Sequence, residues 1–140
     1  MMFHSIELRT YCHATEERDR VTKALATLYP EGSPALASFE GHHRNPIVLM
    51  TCRIEGSEAI TDFWHRCKQT NVVHTILQDL SERIDDDGVL HFRVDKQMAY
   101  SGHIELARHD DVIAVRAKVA AFPAKKSAIL RAAREYLAKV

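Results

Sequence analysis

The chain has 140 residues, 46% of them hydrophobic and 27% charged, with five glycines and four prolines; this excludes a disordered polypeptide and fits one folded domain over residues 1–140. Lysine plus arginine equals aspartate plus glutamate at 19 each, which excludes a nucleic-acid binder that works by bulk positive charge. No run approaches the roughly 18 apolar residues of a membrane span, and three widely spaced cysteines (Cys12, Cys52, Cys67) suit a reducing cytoplasm better than a disulfide framework.

Ile6, Leu8, Thr10 and Cys12 alternate with Glu7, Arg9, Tyr11 and His13, the period-two pattern of a strand with one buried face. Thr15 then offers a cap for a helix over 15–29, with Glu16 and Glu17 in its first turn and Val21, Ala24, Leu25 and Leu28 forming its apolar stripe. Residues 31–38, rich in Gly, Ser, Pro and Ala, read as a connector. A second strand follows, in which Val48, Met50, Cys52 and Ile54 alternate with more polar neighbours. Residues 58–84 read as helical, with a break near Thr70 and Asn71, and the run from Asp85 to Gly88 is a turn. Three strands are expected next: one through Leu90, Phe92 and Val94, a second over 103–107 after a loop at 95–102, and a third from Ile113 to Val119. Pro123 opens a final helix whose stripe is Ile129, Ala133, Tyr136, Leu137 and Val140.

The order β-α-β-α(α)-β-β-β-α implies an α+β domain, with a single mostly antiparallel sheet covered by helices on one face. The uncovered face would then display Arg9, Tyr11, His13, Arg53, His91, Arg93, His103, Arg116 and Lys118, interleaved with Glu7, Glu55, Asp95 and Glu105. Such a mixture fits an ordinary solvated sheet face, or half of a homodimer interface, as well as it fits a binding surface.

Two segments stand out because each crowds hydrogen-bond donors where a bend meets a strand: Gly41-His42-His43-Arg44-Asn45-Pro46-Ile47 and Arg93-Val94-Asp95-Lys96-Gln97-Met98-Ala99-Tyr100-Ser101-Gly102. Adjacent histidines on extended backbone point to opposite sides, and neither HExxH nor CxxC is present, so no metal or other cofactor is assigned. No cysteine has a base on its own face of a strand, and no Walker or GxGxxG loop occurs, so no catalytic residue is assigned.

These two segments, together with His13-Ala14-Thr15-Glu16, resemble an archaeal family described as an RNA-binding domain and as a predicted exosome subunit; the likeness runs over roughly residues 4–123. Arg44 stands where that family's pattern has a second small residue. The resemblance implies a fold similar to the ribosomal protein that binds 5S RNA, and a cytoplasmic role in RNA processing or degradation with RNA and exosome proteins as partners. On this reading Arg44, Arg93 and Lys96 contact phosphate, His42, His43 and Asn45 donate hydrogen bonds, and Tyr100 stacks on an unpaired base. The alternatives are a homodimeric protein-interaction module without direct RNA binding and, third, a small histidine-dependent hydrolase or nuclease.

Overall fold

The computed structural model describes residues 2–40, 45–122 and 124–140. In chain order the elements are β1 (Phe3–Cys12), α1 (Arg18–Leu28), β2 (Ala35–Glu40), β3 (Pro46–Ile54), α2 (Ser57–Lys68), α3 (Val72–Gln78), α4 (Leu80–Arg83), β4 (Val89–Asp95), α5 (Lys96–Tyr100), β5 (Val112–Val119) and α6 (Lys126–Lys139). The strands form one sheet in the order β2-β3-β1-β5-β4, and every neighbouring pair is antiparallel. The α+β class is therefore as expected, with the helices on one face.

The alternation seen in the sequence decides which side of each strand is dry. Ile6, Leu8, Met50, Cys52, Phe92, Val94, Ile113 and Val115 are buried, whereas Tyr11, Arg53, Arg93 and Arg116 are exposed. Trp64 of α2 seals the centre of the dry side: its ring lies 5.0 Å from Phe3, 5.2 Å from Phe63 and 5.9 Å from Phe92. Burying a side chain of that size, roughly 200 Å², contributes about 5 kcal/mol before conformational entropy is counted. Val21, Leu25 and Leu28 of α1 and Ile129, Ala133 and Leu137 of α6 complete the same core.

Five local features differ from the sequence reading, the simplest being that the last helix begins at Lys126, while Pro123, expected to open it, lies outside the described residues. The connector at 31–38 ends in β2, paired with β3 from Ala35 opposite Thr51 to Glu40 opposite Pro46. All six β2 residues are exposed, so the strand carries no in-out pattern, and its partner supplies the pairing. Residues 103–107 form no strand of their own. They run beside β4 through a single bridge, Val94 to Leu106, with Asp95 N–H donating to Glu105 O at 2.8 Å and Ala107 N–H to Arg93 O at 2.9 Å. That cover occupies the outer edge of β4, the kind of edge that otherwise recruits foreign strands.

Residues 96–100 are the helix α5 rather than a loop. Asp95 caps it, its carboxylate accepting from Met98 N–H at 3.0 Å. Helix α1 begins at Arg18 and not at Thr15, and Glu16 lies before it with its carboxylate turned toward His13 and Lys96. Its carboxylate accepts from His13 N–H at 3.1 Å and from Lys96 Nζ. The expected break between helices near Thr70 separates α2 from α3.

Candidate functional site

The open face of the sheet has two halves. Toward one end, Glu7 of β1 pairs across with Arg53 of β3 on one side and Arg116 of β5 on the other. One row along, Arg9 and Arg93 both lie opposite Ala114. A small side chain between two guanidinium groups leaves a groove of about 450 Å³, lined by Arg9, Tyr11, His91, Arg93, Ala114 and Arg116 among others. Toward the other end the face is apolar: Tyr11 lies opposite Leu49, and Phe39 opposite Ile47. The Tyr11 and Phe39 rings meet edge to face, 6.0 Å apart at 86°, and each is 45% exposed.

The four arginines of this face have carboxylate neighbours. Arg9 and Arg116 stand 3.8 and 3.9 Å from Glu7, Arg93 is 3.4 Å from Asp110, and Arg53 pairs with Glu55. His91 lies 2.7 Å from Asp85. Burial pushes the Asp85 carboxyl up, but hydrogen bonds from His91 and from the Val89 and Asp87 N–H groups outweigh it and hold the group below the usual carboxylate range.

The residues singled out in the sequence do not assemble into one site. His42, His43 and Arg44 lie outside the described residues. Asn45 is exposed immediately before β3, while Arg93 is exposed on β4, three strand spacings or roughly 14 Å across the sheet and level with Thr51, a further six residues or roughly 20 Å along β3. Tyr100 is half-buried against α1, with Lys23 Nζ 4.8 Å and the Arg20 guanidinium 5.6 Å from its ring centre. Its ring is thus occupied by the protein's own cations.

Lys96, expected at phosphate, is 3% exposed. Its ammonium donates to Tyr11 O at 2.9 Å, to Glu16 at 3.0 Å and to Asp111 at 2.8 Å, which uses all three of its protons. Burial pushes the Asp111 carboxyl up, yet the Lys96 and Gln97 hydrogen bonds hold it below the ordinary range. Lys96 is an internal clamp that ties the end of β1 to α5 and to the start of β5. Asp95 is similarly committed, one oxygen capping α5 and the other 3.0 Å from His109.

Of the four candidates among the described residues, Asn45, Arg93, Lys96 and Tyr100, Arg93 alone borders the groove. Alternation does put Arg9, Tyr11 and Arg116 on the open face, but it is common to all half-buried strands and does not single them out. Phe39 escapes the sequence reading because no pattern marks its strand. All three cysteines are buried, and burial pushes their thiols up, that of Cys67 to about 12, which leaves them poor nucleophiles. Among the described residues no group of three or more His, Cys, Asp or Glu side chains is placed to hold a metal ion.

Known proteins resemble this chain in sequence and fold. Residues 5–119 match the pattern of a family described as RNA binding. RNA-binding protein PAB1135 of Pyrococcus abyssi is 38% identical, over 96% of this chain and 93% of its own. An uncharacterised protein of Methanocaldococcus jannaschii is 31% identical, over 80% and 81%. Among solved structures, a DUF54 protein from Methanothermobacter thermautotrophicus superposes with a TM-score of 0.85 at 34% identity, covering 98% of this chain and 99% of that one.

Proposed function

The chain belongs to this archaeal RNA-binding family, and from that premise we propose that it is a non-catalytic RNA-binding accessory protein that engages RNA through the open face of its sheet. The observation that carries the reading is the groove in which Arg9 and Arg93 flank Ala114. Two guanidinium groups separated by a small residue suit a phosphate-bearing backbone lying between them, because arginine presents paired donors to phosphate oxygens. Asn45 and the His42, His43 and Arg44 stretch belong to the same proposal as further donors. The cellular context we infer, RNA processing or degradation alongside exosome proteins, rests on the family resemblance and is tested by co-migration with a purified archaeal exosome.

The binding reading is tested by fluorescence anisotropy of labelled RNA across a salt series, with wild type, Arg9→Ala/Arg93→Ala and a distant Lys125→Ala control. Removing two phosphate-binding groups should flatten the plot of log K against log salt by about 1.4, at ~0.7 per phosphate on a single strand. An unchanged slope in the double variant would move the site away from this groove.

A second reading, a homodimeric interaction module, is favoured by the outer edge of β2. That edge has no strand partner among the described residues and carries Leu36 and Phe39 exposed. Sedimentation equilibrium of the wild type and a Leu36→Lys variant separates the two readings.

A further inference from the structure

Resting on the reading above, we infer that the ligand of the open face is unpaired rather than duplex RNA, and that Tyr11 is the platform on which one base stacks. Charge is the first argument. Four arginines of the face stand beside three carboxylates, Arg9 and Arg116 sharing Glu7 while Arg53 has Glu55 and Arg93 has Asp110, so most of its arginine charge is already matched. Double-stranded RNA offers a protein mainly phosphates and sugar hydroxyls, and such binding depends on charge that is not already matched. Little of that is available here, so binding must draw on another source.

That source is the aromatic end of the same face. The edge-to-face arrangement of Tyr11 and Phe39 props one ring against the other and leaves ring surface uncovered. A base within a duplex has both of its π-faces stacked on its neighbours and cannot offer one, whereas an unpaired base can.

Spacing agrees. Arg9 precedes Tyr11 by two residues on β1, so the two side chains emerge on the same face roughly 6.8 Å apart, within one nucleotide's span from base to phosphate. Across the sheet, Arg9 and Arg93 are separated only by β5, two strand spacings or roughly 9.6 Å. That width admits one sugar-phosphate chain between the guanidinium groups and not the two chains of a duplex. The surface therefore orders its contacts along a strand: a base on Tyr11, then backbone between Arg9 and Arg93.

The test is competition anisotropy on the full chain with a labelled unpaired RNA 12-mer and a duplex of the same length, using wild type, Tyr11→Leu and Tyr11→Phe. Wild type should prefer the unpaired RNA by at least tenfold. Tyr11→Leu should weaken that RNA roughly 5- to 100-fold, the loss of one stacked base, and leave the weak duplex binding unchanged. Tyr11→Phe keeps the ring and should retain the preference, which separates stacking from any change in strand stability. Equal affinity for both RNAs, or a preference that survives Tyr11→Leu, overturns the inference while leaving RNA binding intact. Failure of the wild type to bind either RNA overturns the underlying reading and this inference with it.

Discussion

Replacing Lys96 by methionine separates an internal clamp from a surface contact. Methionine keeps most of the stem and removes the ammonium, so three acceptors lose their donor at once: Tyr11 O, Glu16 and Asp111. Removing one partner of a fully buried ion pair costs about 3–5 kcal/mol. Here the cost is at the low end, because Glu16 retains the His13 N–H, Asp111 retains Gln97, and both carboxylates reach solvent. A destabilisation of about 3 kcal/mol is therefore expected. At a urea dependence of roughly 2 kcal/mol per molar, the unfolding midpoint falls by about 1.5 M. Adding Glu16→Gln to Lys96→Met should recover part of the stability, since one of the two carboxylates left without the ammonium is then uncharged. The salt dependence of RNA binding supplies the second readout. Removing a cation that neutralises one phosphate of a single strand lowers the slope by ~0.7, whereas removing a clamp leaves the slope as it was and alters affinity only through the position of β1. A Lys96→Met protein with unchanged urea midpoint and a flattened slope would refute this reasoning and restore Lys96 to the RNA surface.

Gly88 has φ +77°, and an added Cβ would stand 3.1 Å from Ile129 Cδ1, so Gly88→Ala should cost about 1–2 kcal/mol in chemical denaturation from left-handed strain alone. The Cys67 thiol, raised to about 12 by burial, should resist iodoacetamide at pH 8 until denaturant is added, as followed by intact mass. Asp85 and Asp111 have folded pKa values held below those of the unfolded chain, near 3.9. Their stabilisation is thus fully present above that value and lost as pH falls through the lower folded values, where the unfolded state binds more protons. Thermal melts between pH 7 and 2.5 should accordingly show a shallower acid limb for Asp85→Asn than for the wild type.

The strands with one dry face were legible because burial writes itself as alternation: Ile6 to Cys12, Val48 to Ile54, Leu90 to Val94 and Ile113 to Val119 all lie where the pattern places them. Strand β2 was not legible, since Ala35 to Glu40 face solvent on both sides and contain no β-branched residue. Helix α5 did carry a signal, an Asp followed by Lys, Gln, Met and Ala, all good helix formers. Reading that stretch as a hairpin loop put Lys96 at the surface. Its burial depends on Glu16, 80 residues earlier in the chain, and on Tyr11 O. No local pattern reports an interaction of that range.

The segment from Arg93 to Tyr100 attracts attention as a single cluster of donors, yet the fold divides its labour. Arg93 is the last residue of β4 to be exposed on the open face, and Asp95, two residues on, turns the chain inward by capping α5. From there Lys96 reaches back beneath the sheet and holds the carbonyl of Tyr11, the residue whose side chain projects from the opposite face. Thr27 of α1 fixes the same short helix by donating to Ala99 O at 2.6 Å. The segment thus acts on the candidate surface twice, once by direct display of a guanidinium group and once by anchoring the backbone under the aromatic ring. On the proposed reading, Lys96 acts on binding through the position of Tyr11 without meeting RNA. The same division of labour requires that Arg93→Ala flatten the salt dependence while Lys96→Met leaves it unaltered.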